Sequence, residues 1–356
     1  MSDLIWKRSG IALVAVLLLA VPFILENDML GVAIVCLAYA VAAIGLTVLV
    51  GVGGQLSLAH GFFVAVGAYA YTVFGSPKGE HLFGFGLPPL IAAIGAVVVA
   101  AFAGLAFSPI ARRLGGLYLG MASLALVFIA DYVFQRVGAL SGGSGGRMVP
   151  AFTVGGLQLS GFTKHLWIAG VDFGGMQRLW YLVLIVAVLS AVAALRIVRG
   201  RPGQALQLMR DNPAAAAAMG VNIPRAKSGV FVMSSAYAGL AGVLIALQAQ
   251  TVVPHTFSMT LSLNLLVMII LGGLGSVQGA VVGAVVVNLL PAILDKLGTS
   301  GALAFIDPTG VRGMSGGLFS ALVFGAAVVL VLIFEPLGLA GLFRRAVRRA
   351  SITRAG

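Results

Sequence analysis

Ten apolar segments follow one another along this chain. They lie at about 9–25, 29–51, 57–74, 87–110, 115–135, 179–198, 229–250, 261–275, 277–297 and 317–335. Several reach the length of about 18–20 apolar residues that lets a helix cross the hydrocarbon of a bilayer. The third, eighth and ninth are short or rich in glycine. A membrane β-barrel would show short segments of alternating polar and apolar residues, and these runs do not alternate. The pattern predicts an all-α, polytopic integral membrane protein of about ten spans, some of them broken at glycines. Two long polar stretches interrupt it, one from Arg136 to Arg178 and one from Arg199 to Lys227.

Composition sharpens the class. Hydrophobic residues make up 60% of the 356 residues and charged ones 9%, against about 25% charged in soluble domains. The net charge of +12 has a membrane explanation, because loops on the cytoplasmic side collect Lys and Arg. With the N-terminus inside and ten crossings, 15 of the 22 basic residues and three of the ten acids fall inside. The outside is then neutral, and moving one span would put an Arg-rich loop there. Both termini are expected in the cytoplasm, and nucleic acid is not an expected partner. Lys7 and Arg8 ahead of an apolar run resemble a signal peptide. The run continues to Leu25 without a small-x-small cleavage pattern, so a retained first helix is expected. Cys36 is the only cysteine and can make no disulfide within the chain.

The inner stretch, RGRPGQALQLMRDNPAAAAAMGVNIPRAK, carries the local signals of two short helices. Pro202 can open the first, and QALQLMR consists of good helix formers. Asp211 or Asn212 can cap the second, from Pro213 to Met219, with five alanines behind the proline. Gly220 can supply a left-handed stop, and Pro224 resists continuation. A short helix with a small-residue face and basic flanks suits a groove on a partner. The plainer reading of the same charges is a loop whose arginines fix topology.

These residues, running on into FVMSSAYAGLAG, resemble the cytoplasmic coupling region of branched-chain amino acid ABC transporter permeases, the larger M-type (LivM-type) subunit above all. GVGGQLSLAHGFFVAVGAYA (Gly51–Ala70), LGGLYLGMASLAL with LSGGSGG, LVMIILGGLGSVQGAVVGA (Leu266–Ala284) and FEPLGLAGLFRR resemble other stretches of that family in the same order. The resemblance implies a bacterial cytoplasmic-membrane importer subunit. It implies pairing with a smaller H-type homologue, docking of two cytoplasmic ATPase subunits, and delivery of solute by an extracytoplasmic binding protein. The residues it marks for ATPase coupling are Arg201, Gly203, Arg210, Asp211, Asn212, Pro213, Ala217 and Gly220. Where the family pattern carries an acid near the start of the eighth span, this chain has Asn264, which puts any role of that acid in solute preference or pairing in doubt. The expected organisation is one permease domain over 1–343, with an outer loop at 136–178 and a coupling loop at 199–228. A basic cytoplasmic tail follows at 344–356.

Candidate chemistry is sparse. GGLGS (Gly272–Ser276) lacks the lysine of a phosphate loop, so ATP hydrolysis belongs to partners. The four histidines have no metal-ligand spacing, no nucleophile elbow occurs, and no catalytic residue, metal or cofactor is expected. Ionisable residues within spans would mark a proton-coupled carrier; Asp131 and Asp295 lie towards span ends, which weighs against a stand-alone secondary transporter. Gln55, Ser57 and His60 can line the inner pathway at a helix break, or cap that break locally. Gly272, Gly273, Gly275 and Gly279 form a second break, or serve close helix packing. Asn264 can hold a structural hydrogen bond or act in gating. Ser141–Gly146 can offer N–H groups to an anion or be a flexible run. Arg344, Arg345, Arg348 and Arg349 can fix topology and touch anionic lipid or contact the ATPase. The function expected is uptake of branched-chain or related hydrophobic amino acids by alternating access. The alternative is the same architecture carrying urea, short amides or aromatic acids.

Overall fold

The computed structural model describes residues 16–79, 82–155, 157–160, 166–168, 171–299, 316–335 and 338–341. The basic tail at 344–356 and most of the first apolar segment lie outside them. Each of the ten apolar segments contains a helix. These are α1 (16–24), α2 (Asn27–Leu46, prolonged by a π-helical turn Thr47–Val52), α3 (His60–Gly75), α4 (Pro89–Arg113) and α5 (Gly116–Arg136). After a single turn, α6 (Gly138–Ser141), come α7 (Gly175–Arg199), α8 (Arg201–Asp211), α9 (Pro213–Ala218), α10 (Ile223–Ala249), α11 (Met259–Gly272), α12 (Val277–Thr299) and α13 (Gly316–Phe334). Among the described residues, six helices are long and apolar enough to cross a membrane: α2 with its π turn, α4, α5, α7, α10 and α12.

α2 and α10 form the centre. They pack on each other, α4 and α3 pack on α10, and α12 and α7 pack on α2. In lipid, helices associate by close van der Waals fit between small side chains more than by exclusion of water. Gly67 of α3 therefore faces the Gly239 backbone of α10 so closely that a Cβ would come within 2.2 Å of its carbonyl oxygen, and at Gly242 a Cβ would lie 2.1 Å from the Val64 oxygen. The run α2–α3–α4–α5 recurs as α10–α11–α12–α13 in the opposite sense: a long central helix, a short one, then two more. α3 has 16 residues and α11 has 14, about 24 and 21 Å long, so neither spans a hydrocarbon core of about 30 Å alone. Their N-termini meet inside the bundle, where the Gly61 N–H donates to Ser262 Oγ at 2.9 Å.

The described residues between Arg136 and Arg178 include short strands and turns. They hold β1 (Arg147–Met148), β2 (Thr153–Val154), β3 (Leu157–Gln158), β4 (Leu166–Ile168) and β5 (Val171–Phe173). β2 pairs with β3, β4 with β5, and β1 with β6 (Thr251–Val252) just after α10. The Ser141–Gly146 run folds as consecutive tight turns with Gly142, Gly143 and Gly146 at positive φ. These turns bring Arg147 under cover, where its guanidinium donates to the carbonyls of Leu140 and Phe83.

Two sequence expectations move. Beyond the end of α9, Pro224 sits in the first turn of α10, capped by the Asn222 side chain on the Arg225 N–H at 3.1 Å. α10 thus begins six residues before the apolar run, because proline is tolerated where the N–H has no helical partner. The second elbow helix ends at Ala218, with Met219 as its C-cap.

Candidate functional site

The polar stretch between α7 and α10 folds as an elbow. α8 buries Gly203, Leu206 and Met209, one residue per turn, and exposes Arg201, Gln204 and Arg210. Asn212 then turns extended (φ −151°, ψ 96°), and its side chain accepts from the Ala215 N–H at 3.0 Å. Asn212, rather than Asp211, is the cap. Pro213 follows at the first helical position, where its missing N–H costs nothing. α9 ends in a Schellman motif: Val221 N–H bonds the Ala216 carbonyl at 2.9 Å, Gly220 N–H bonds Ala217 at 3.0 Å, and Gly220 has φ +83°. Such a turn needs a left-handed residue at that position. α9 presents Pro213, Ala217, Met219 and Gly220 to the exterior and buries Ala216. Gly203 points the other way: a Cβ there would lie 2.1 Å from the Val198 carbonyl, so it seats α8 on the end of α7.

The elbow is fastened to the bundle at the end of α2. The Arg210 guanidinium donates to the Gly51 carbonyl in the π-helical turn, and its Nε contacts Asp211 Oδ1 at 3.1 Å. Gly54 (φ +67°) lies under the Arg210 stem, 2.4 Å from Cγ for a hypothetical Cβ. Gln55 Nε2 reaches the Lys227 carbonyl at 3.4 Å, and Gly275 of the α11–α12 turn lies against Gly51. Arg112 Nε donates to Ser228 Oγ at 2.6 Å on the same end. Arg112, Arg113, Arg196, Arg199, Arg201, Arg210, Arg225 and Lys227 therefore gather at one end of the helices. Glu26, which bonds Lys296 at 2.8 Å, marks the other.

The pathway candidates divide into two groups. Gln55, Ser57 and His60 lie together and are buried. The non-helical segment entering α3 finds partners in side chains: Leu58 N–H donates to Ser123 Oγ at 2.8 Å and Ala59 N–H to Ser57 Oγ at 3.3 Å. Ser57 thus steadies the approach, while Ala59 occupies the cap position. His60 Nε2 lies 3.2 Å from Ser234 Oγ. Ser234 also donates to the Gly45 carbonyl at 2.8 Å, and His60 Nδ1 is buried without a partner among the described residues. Gln55 Oε1 and Thr47 Oγ1 nearby in sequence are also buried without a partner among the described residues.

The second group makes the α11–α12 hairpin. Gly273 and Gly275 have φ of 109° and 82° and turn the chain. Gly272 and Gly279 press backbone to backbone, leaving 2.0 Å for a Cβ at Gly272. Asn264 is half-buried on α11 and makes no hydrogen bond among the described residues. Sequence reasoning missed Ser234, Ser262 and Ser123. Isolated hydroxyls in apolar helices were their only signal.

This architecture is that of a multi-pass membrane protein with a discontinuous-helix interior and a basic elbow at one end. The family model for the branched-chain amino acid transport system permease component matches residues 28–334. The chain belongs to that family. It is 28% identical to the high-affinity branched-chain amino acid transport permease LivM of Escherichia coli (strain K12), over 93% of this chain and 75% of that one. It is 25% identical to LivH of the same strain, over 85% and 91%. It is also 24% identical to BraD of Pseudomonas aeruginosa, over 85% and 91%. No solved structure matches it.

Proposed function

We propose that this chain is the membrane-spanning permease subunit of an ATP-driven importer that takes up branched-chain or similar aliphatic amino acids. On this reading it crosses the membrane ten times as one domain, with both termini and the elbow in the cytoplasm. A homologous H-type permease completes the pathway, two ATPase subunits dock from inside, and a binding protein delivers solute from outside. The names of the relatives support the solute class. The observation that carries the coupling role is the build of the elbow: capped at both ends, exposed along the alanine face of α9, and tied by Arg210 to the central helix α2. A helix held that way transmits a push, where a topology-fixing loop needs no such tie.

Closure of the ATPases would move α9 and α8 as one piece, and the Gly51 carbonyl would carry the movement into the π-helical turn of α2. Local π turns are energetically marginal and occur often at functional sites. Next to that turn lie the Gln55–His60 segment and the α11–α12 hairpin, which form the inner gate in this mechanism. Asn264, without a hydrogen bond among the described residues, would take one from the second permease.

The test replaces Ala217 or Asp211 with a bulky residue of the wrong charge, Ala217→Glu and Asp211→Arg, in the assembled transporter. ATP hydrolysis is expected to persist while leucine uptake falls. Unchanged coupled uptake in both variants would remove the docking role. Ligand binding by the cognate binding protein decides the solute, and urea, a short amide or an aromatic acid there would replace the branched-chain assignment.

A further inference from the structure

At the end opposite the elbow, a groove of about 600 Å³ opens between α2, α7, α10 and α12. Asn27 and Asp28 stand at its rim, Gln248 and Met176 on its sides, and Val35 and Asn288 deeper in. Val35 and Asn288 lie about 12 and 16 Å along their helices from that end, near the middle of a bilayer core. Polar side chains at such depth are unfavourable against lipid and mark a protein-lined or water-filled space. The Asn27, Asp28 and Gln248 side chains make no hydrogen bond among the described residues. Asn288 Nδ2 is taken by the Ala284 carbonyl at 2.7 Å, which leaves Oδ1 as an open acceptor. Gly31 keeps the groove wide. A Cβ there would meet Gln248 Nε2 at 3.5 Å and Met176 Cε at 3.7 Å.

We propose that this groove is the outer entry site for the solute, built for a small zwitterion with an aliphatic side chain. The inference rests on the importer reading above. The Asp28 carboxylate and Asn288 Oδ1 are acceptors for an ammonium group, and Gln248 Nε2 is a donor for a carboxylate. Val32, Val35 and Met176 supply the apolar wall. The volume falls within the range of about 300–1,000 Å³ usual for small-molecule sites. α2 lines this groove at one end and, through its π-helical turn, receives Arg210 at the other, so one continuous helix joins the entry site to the elbow.

The experiment uses the assembled transporter in proteoliposomes, with Cys36→Ser removing the chain's own thiol. Asn288→Cys, and Ala292→Cys one turn outward, are exposed to a charged, membrane-impermeant methanethiosulfonate from the groove side. Both thiols are expected to react. In Ala292→Cys, which leaves every proposed solute ligand in place, leucine delivered by the binding protein should slow the reaction at least about fivefold, the effect of roughly four-fifths occupancy. Ile185→Cys, on the exposed outer face of α7 at similar depth, should react only with a lipid-soluble maleimide. Reaction of the groove thiols with the maleimide alone means a lipid-filled groove, and reaction without leucine protection means a wet groove that is no entry site. Either result overturns the proposal while wild-type leucine uptake stands. A wild-type complex that takes up no aliphatic amino acid sinks the importer reading and this site with it.

Discussion

Gly54 and Arg210 make the sharpest test of the tie between elbow and central helix. Gly54→Ala places a methyl group 2.4 Å from Arg210 Cγ, in a residue whose φ is +67°. The left-handed backbone costs a non-glycine residue about 1–2 kcal/mol. The contact must also open by about 1 Å to reach ordinary van der Waals separation near 3.5 Å, and Cγ sits too near the backbone for the side chain simply to swing away. The displaced guanidinium leaves the Gly51 carbonyl. A hydrogen bond from a charged group is worth about 1.5–3 kcal/mol, and the low end applies because the Arg210 side chain is 47% exposed. The seated elbow is then disfavoured by about 2–4 kcal/mol in all, and each 1.4 kcal/mol is a factor of ten. In proteoliposomes containing the whole transporter, leucine uptake per ATP hydrolysed should fall at least about tenfold. The complex should still assemble and hydrolyse ATP. Arg210→Ala should reproduce the loss and Arg210→Lys should recover part of it. The double variant Gly54→Ala with Arg210→Ala should be no worse than the more damaging single one, since both remove the same contact. Single variants within twofold of wild type, or losses that multiply in the double variant, would refute the transmission route.

Asn212→Ala removes the cap of α9 and should cost about 1 kcal/mol of local stability. Cleavage within 212–220 on inside-out vesicles should rise about fivefold, and Asn212→Asp should restore resistance. Gly283→Leu forces a side chain to within 1.9 Å of the Met268 carbonyl for its Cβ alone. Overpacking of this kind costs about 1–3 kcal/mol or more, so the detergent-solubilised protein should melt lower, whereas Gly325→Ala on α13, with nothing among the described residues within 4 Å, should not. Arg147→Ala should free the outer turns from the Phe83 and Leu140 carbonyls, read as faster amide exchange at 141–148 with the helices unchanged.

Much of the helix layout was written in the local chain. The ten apolar segments each hold a helix because hydrophobicity and length are read one residue at a time. Proline and glycine marked the elbow for the same reason: Pro213 and Gly220 act through their own φ angles. The early start of α10 escaped notice because Asn222 to Ser228 lie outside the apolar run, and only the Asn222 cap shows that the helix begins there. Glycine packing was legible as a tendency at Gly272 and Gly279, but not which backbone each would touch.

Sequence by itself determined that this is a helical membrane chain with a basic, capped elbow, since span length, charge bias and capping depend on neighbours a few residues apart. Only the tertiary structure decided that Arg210 reaches Gly51, that α3 and α11 meet end to end at Gly61 and Ser262, and that Asn288 shares a groove with Asp28. Those pairs are separated by 159, 201 and 260 positions. In a low-dielectric interior each polar group takes whichever partner the helix packing brings within reach, and no local pattern encodes that choice.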